Sequence, residues 1–442
     1  MNEQQKDTPI PRHLICSDDV PVTDSSTQRC RGTTTKAATA AVRIDATTVA
    51  FPSRAAATFV RDVRLGVAAY FETKRCSPKG NWCMWLKTLL LFGVVIGSYA
   101  AIMSNRFTPL AMLGLSVLLG IGIAGVGFSV SHDALHGAYS DNPAVNYVLG
   151  LSFDLLGANS YIWKITHNII HHTYTNIDGV DEDIDLSPFV RLSPGTPPRR
   201  RYRYQHFYAF IAYGLAMLFW VFVKDYRYFV RRDLGPYRNR SNPPGEVAML
   251  AVTKLLHYGW TIVLPLIVLR IHWWQFLIGY LAMTLTAGGI LGLIFQLAHV
   301  VEGTDYPLPD AQGAMEHVWL VHQMMTTSNF APRNRVLSWY VGGLNYQIEH
   351  HLFPKVCSVH YPAISRVVRQ AAAAHQVPYH EQPTLLRAIG SHYRMLKHFG
   401  RDDGSEKILR DKVQPPTRSD RRDQSSSKSA KRAQENSRWI DF

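Results

Sequence analysis

Eight of the nineteen histidines in this 442-residue sequence fall into four groups whose spacing suits metal binding. His132 and His136 bracket the run HDALH, and His167, His171 and His172 punctuate HNIIHH. His299 follows a long apolar stretch, with Glu302 about one turn on, and QIEHH ends in His350 and His351. A neutral imidazole is the commonest metal ligand, and residues three or four apart share one face of a helix. His132 and His136 satisfy that rule, as do Gln347, His350 and His351 at i, i+3 and i+4. The i, i+4 and i+5 spacing of the second group aims its three rings at one sector. One such pair alone is weak evidence of metal, and His206, His257, His272, His317, His322, His360 and His375, which have no spaced partners, read as structural. Four groups brought together are another matter. Eight imidazoles exceed the roughly three protein ligands of a catalytic zinc and fit two metals. Iron is expected if the work is dioxygen chemistry, although spacing alone admits zinc or manganese equally.

The elements that must position these groups are membrane helices. A hydrocarbon core of about 30 Å takes about 20 helical residues, and four apolar segments reach or approach that length: 85–103, 110–130, 253–269 and 274–298. The links SNRFT and the one holding Arg270 and His272 are short enough to force two antiparallel hairpins. Lys87, near the edge of the first segment, is expected to snorkel toward water. Two further apolar stretches, 208–223 and 147–163, are read as interfacial helices, because a fifth full span would put the histidine groups on opposite sides. The expected fold is therefore all-α: four transmembrane helices in two hairpins, interfacial helices, and a cytoplasmic helical cap holding a dimetal site.

Charge orients this arrangement. The net charge of +14 is concentrated at 199–203, at 224–240 and after Lys397, whereas the hairpin links carry only Arg106 and Arg270. The positive-inside rule then places both termini and all four histidine groups on the cytoplasmic side. Basic runs flanking apolar segments fit an anionic membrane surface; no zinc-finger or RNA-binding signature accompanies them, and nucleic acid is not an expected partner. The five cysteines lack C-x-x-C spacing and read as free thiols. No secretory signal is expected at the N-terminus. Residues 1–60 are rich in Thr, Ala and Ser and read as a flexible extension; 61–400 form the catalytic body; 401–442 are polar, basic and expected to be disordered.

HDALH, HNIIHH and QIEHH resemble the three histidine boxes of the membrane fatty acid desaturases. GGLNYQIEHHLFP at 342–354 and QMMTTSNF at 323–330 resemble the front-end branch, in which the third box begins with Gln. The likeness runs from about residue 85 to 379. It implies that His132, His136, His167, His171, His172, His299, His350 and His351 hold two irons, with Gln347 as a ninth ligand. It implies dioxygen as co-substrate and a cis double bond set on the carboxyl side of an existing one. It also implies an acyl-lipid or acyl-CoA substrate. Front-end enzymes often carry a fused cytochrome with a His-Pro-Gly-Gly motif. No such motif stands here, so the expected electron donor is a ferredoxin or a separate b-type cytochrome.

An unactivated methylene C–H bond is beyond any side-chain acid or base, so the cofactor must supply the hard step. The protein's expected share is an apolar tunnel that fixes the chain and excludes water. Asp133, Asn168, Glu302 and Glu349 are candidates to accept N–H bonds from the liganding rings. Rival readings are a hydroxylase or ketolase on the same scaffold and, from another class, a metal transporter or sensor. The second would need ionisable residues along the spans, which carry almost none.

Overall fold

The computed structural model describes residues 49–52, 56–186 and 188–401. The flexible extension expected over 1–60 and the disordered tail expected over 401–442 therefore lie almost wholly outside the described residues. Where they overlap, Ala50 bridges Ala314, and helix α1, Ala57–Lys74, begins before the expected boundary. Its Phe59, Val63, Val67 and Phe71 recur every fourth residue and are buried, which makes one apolar stripe. That stripe packs on a helix near the other end of the chain, Tyr361–Ala374.

Among the described residues, four helices are long and apolar enough to cross a membrane: α2 Trp82–Met103, α3 Pro109–Leu135, α8 Pro244–Val268 and α9 Trp273–His299. Between them come α4 Pro143–Leu155, α5 over 160–174, and the bent pair α6 Gln205–Gly214 and α7 Ala216–Val230. Side-chain caps set two of the starts: Asn81 accepts from Met84 N, and Thr108 accepts from Ala111 N with Pro109 in the first turn. α2 and α3 form one hairpin and α8 and α9 the other. The two tips touch: Asn105 Nδ2 donates to Val268 O at 3.0 Å and Arg270 N donates to Asn105 Oδ1 at 2.8 Å. Both turns thus lie at one end of the bundle, and the free ends of α3 and α9 lie together at the other. Small residues permit the closest approach; a Cβ on Gly120 of α3 would fall 2.4 Å from Met283 O of α9.

Two details of the spans differ from expectation. α8 starts at Pro244, well before residue 253, and carries Lys254 inside it. That charge also lies inside the expected span. In the fold it is buried, with Lys254 Nζ 2.7 Å from Asp225 Oδ2 and 2.7 Å from Gly157 O. Lys87 does not reach for water; it is buried, with Nζ 3.4 Å from Trp339 O.

The stretch expected at the interface over 208–223 forms the bent pair α6–α7, whose axis bends by 60° at the break. It packs directly against one of the four spans. Gly214, at the bend, abuts α9 so closely that a Cβ on Gly288 would meet Gly214 O at 2.4 Å. Gly288 stands eleven residues before His299, about 16 Å along a helix, so the elbow lies that far from the histidines toward the hairpin tips. The chain then returns, because His171 before the pair and His299 after α9 end side by side. The stretch expected at the interface over 147–163 divides at Gly157 into α4 and the start of α5, whose N-cap is Asn159.

Beyond α9 the chain builds a cap from α10 Trp319–Thr326, strand β1 Ser328–Phe330, α11 Arg335–Tyr340, α12 Gln347–Leu352, α13 Tyr361–Ala374, strand β2 His380–Gln382 and α14 Leu385–Gly400. β1 and β2 pair in parallel, Asn329 opposite Glu381. Gly342 seats this cap on α3. Its φ is +61°, and a Cβ there would lie 2.5 Å from Phe128 O, so both conformation and space require glycine.

Candidate metal centre

All eight histidines singled out by spacing are buried and adjoin one another at the open end of the bundle. In one group, His132, His136, His167 and His350 each offer a nitrogen within 4.8 Å of the others. In a second, His171, His299 and His351 do the same. His172 lies between the groups: its ring centroid is 4.8 Å from that of His136, 4.6 Å from His350 and 4.4 Å from His351. Gln347 opens α12, the short helix that carries His350 and His351, and is buried with them.

Local winding explains the spacing of the boxes. α3 loosens into a wide turn of i→i+5 bonds at Gly127–Ser131, immediately before His132. α5 does so over Lys164–His171, the second box itself. In a regular helix of 3.6 residues per turn, residue i+5 swings well away from i. The wider turn brings both i+4 and i+5 back toward i, so His171 and His172 can join His167. Such widened turns favour functional sites.

The ring nitrogens divide their work. His167 Nδ1 lies 3.3 Å from Asp183, His171 Nδ1 3.0 Å from Asp181, and His351 Nδ1 2.8 Å from Gln323 Oε1. His299 Nδ1 donates to Thr326 O at 3.3 Å, and His350 Nδ1 lies 3.2 Å from the Tyr361 hydroxyl. The Nε2 atoms of all five are buried without a partner, as are those of His136 and His172. A buried polar atom left unmatched is costly. Seven unmatched imidazole nitrogens converging on one volume therefore fit metal ions that would occupy it. Burial holds His136, His167, His172, His350 and His351 well below the usual imidazole range, and neighbouring histidines add to the effect. They are neutral, as ligands must be. Burial works against charge on His171 as well, but the Asp181 carboxylate prevails and raises it; that buried carboxylate is placed to offset cationic charge in the second group.

The acceptors expected from the sequence are mostly otherwise engaged. Asn168 Nδ2 donates to Leu135 O, Glu302 pairs with Arg394 at the surface, and Glu349 accepts from Asn329 and Tyr379. Asp133 Oδ1 is 3.6 Å from His132 Nδ1, while its other oxygen accepts from Ser358 N and Oγ. Asp181, Asp183, Gln323 and Tyr361 take the role instead. The acidic run at 181–183, nine residues after the second box, was the available signal for two of them. His322 and His257, read as structural, point a ring nitrogen at a backbone carbonyl: His322 at Thr175 O and His257 at Leu155 O.

Trp163 stacks on His167 at 4.3 Å and stands edge-on to His132 and His136. Phe295 lies 5.2 Å from His171 and 5.6 Å from His299. Aromatic rings thus flank both groups. A separate apolar cavity of ≈ 270 Å³ lies between the hairpins, lined by residues such as Tyr99, Trp260, Phe276 and Met283. Met283 is sixteen residues before His299, about 24 Å away along α9, so this cavity does not reach the histidines.

Residues 107–383 match the fatty acid desaturase family. The chain is 37% identical over 348 residues to the sn-1 linoleoyl-lipid 6-desaturase of Synechocystis sp., an alignment covering 78% of this chain and 96% of that protein. It is 34% identical over 339 residues to the enzyme of the same name from Arthrospira platensis (77% and 92% covered). To the acyl-lipid (8-3)-desaturase of Physcomitrium patens it is 36% identical over 340 residues (76% and 71%).

Proposed function

The chain belongs to the fatty acid desaturase family, and from that premise we propose that it is a di-iron acyl-lipid desaturase of the front-end kind, adding a cis double bond on the carboxyl side of one already present. The observation that carries this reading is the pair of adjoining buried histidine groups in which, with His172, seven Nε2 atoms are free and five of those rings are held through Nδ1. His132, His136, His167 and His350 would hold one iron and His171, His299 and His351 the other. His172 and Gln347 complete the set. When bound, the irons supply the oxidation: dioxygen, two electrons and two protons take two hydrogens from adjacent carbons and leave as two waters.

The chain's own residues prepare that step. Asp181, Asp183, Gln323, Tyr361 and Thr326 O fix the ring tautomers and aim Nε2 inward. Trp163 and Phe295 face the acyl chain with apolar surface and keep water from the reacting carbons. The relatives named as acting on linoleoyl-lipid favour a lipid-linked chain over a coenzyme A ester. Electrons come from a ferredoxin or a separate b-type cytochrome, and the basic runs at 199–203 and 224–240 favour the cytoplasmic side for the histidines.

Expression in a host supplied with linoleic acid, followed by gas chromatography of lipid methyl esters, tests the proposal. The native chain yields a fatty acid with a new double bond near the carboxyl end; His171→Ala and His350→Ala yield none. An alcohol in place of the alkene would move the assignment to a hydroxylase, and product persisting in either variant would remove these ligands from the account.

A further inference from the structure

The arginine run that precedes α6 has a definite place in the fold. Arg200–Tyr204 forms a single tight turn, and Arg199, Arg200, Arg201 and Arg203 all face outward. Among the described residues, none of these four guanidiniums has a carboxylate partner. The last turn of α14 packs against the same turn: Gln205 Nε2 donates to Leu396 O at 2.8 Å, and a Cβ on Gly400 would meet Tyr202 O at 2.3 Å. Lys397 and Arg401 are thereby added, close enough that both, after burial, lower His206.

Directly after this turn the surface changes character. Tyr204, Phe207, Ile211 and Leu215 recur at i, i+3, i+7 and i+11, one face of α6, and all are exposed; Phe207 is 63% and Ile211 74% accessible. α6 descends along α9, with Tyr213 against Gly292 and Gly214 against Gly288, so its elbow lies about 14 Å below its start at Gln205. The apolar face therefore looks into the hydrocarbon, and the arginine turn sits at the rim where headgroups lie.

We infer that the turn at Arg199–Arg203, together with Lys397 and Arg401, binds the anionic headgroup of a membrane lipid whose tails lie along Phe207 and Ile211. Guanidinium forks match the oxygens of a phosphodiester or sulfonate and hold them through paired hydrogen bonds. An acidic protein would satisfy the charge but would leave the apolar face below it uncovered, so a lipid fits both halves of the surface.

The test uses the full chain purified in a neutral detergent and given equal amounts of phosphatidylglycerol and phosphatidylcholine, with the retained lipid counted by native mass spectrometry. The native chain retains phosphatidylglycerol preferentially. The triple variant Arg199→Gln, Arg201→Gln, Arg203→Gln lowers that preference roughly tenfold, whereas Arg232→Gln, at another exposed basic position, does not. A thermal melt matching the native one shows that the triple variant is folded. Equal retention of the two lipids by the native chain, or unchanged preference in the triple variant, would overturn the inference. Displacement of phosphatidylglycerol by inorganic phosphate at similar concentration would reduce the site to one for free anions. Loss of reduction by a ferredoxin with lipid preference intact would hand the surface to a protein partner.

Discussion

At five of the eight site histidines, Nδ1 meets an identified acceptor while Nε2 stays free. The ligands were legible in the sequence because spacing along a helix reports which rings share a face. Their supporting acceptors were not. A neighbour in sequence points about 100° away around a helix, so Asn168 and Glu349 cannot reach the ring beside them. Acceptors arrive from segments folded in from elsewhere, as Gln323 does from α10, 28 positions before His351. Gln323 Oε1 also accepts from the Thr175 hydroxyl at 2.8 Å, which fixes the amide that orients His351. Replacing it with Leu is expected to speed iron loss to a chelator by roughly 10- to 100-fold, while Gln323→Glu, which keeps an acceptor, stays near native. Chelator-challenge kinetics on the purified variants read this directly; a rate unchanged in the Leu variant would show that the amide does not position the ring.

At the scale of elements, hydropathy revealed the four spans, and the two short links revealed the hairpins. The burial of Lys254 in α8 was obscured, because its partner Asp225 is one that sequence does not advertise. The packing of the α6–α7 bend on α9 was hidden too, since it depends on two glycines meeting. Gly288→Leu is therefore expected to force the bent pair off α9, with a loss of thermal stability of several degrees, whereas Gly93→Leu, whose Cβ position is open, leaves the melt unchanged. The cap helices also carry a pH dependence. His322 of α10 and His392 of α14 are pushed down to about 4 by burial, despite backbone carbonyl partners. An unfolded histidine titrates near 6.5, so between those values the unfolded chain binds the extra protons. Stability then rises with pH and is lost as pH falls from 6.5 toward 4. Thermal melts across that window should show the fall, and His392→Gln should make it shallower; a flat profile would contradict the burial of these rings.

For the whole molecule, two hairpins with touching tips and a bent pair that enters and returns bring groups spread from His132 to His351 to one end of the bundle. Short links in the sequence led to the same gathering of ends, because paired spans constrain which ends can meet; only for the stretch at 208–223 did the histidines themselves decide the reading. The cap packing and the aromatic flanks of the site rest on long-range contacts that no local pattern encodes, such as the fit of α1 on α13. The account rests on two metal positions with separate ligand groups, and the iron-to-protein ratio of anaerobically reconstituted chain tests it most directly. The native chain should hold about two irons; His136→Ala, from the first group, and His299→Ala, from the second, should each fall to about one. A native ratio of one or none, or either variant still holding two, would contradict it.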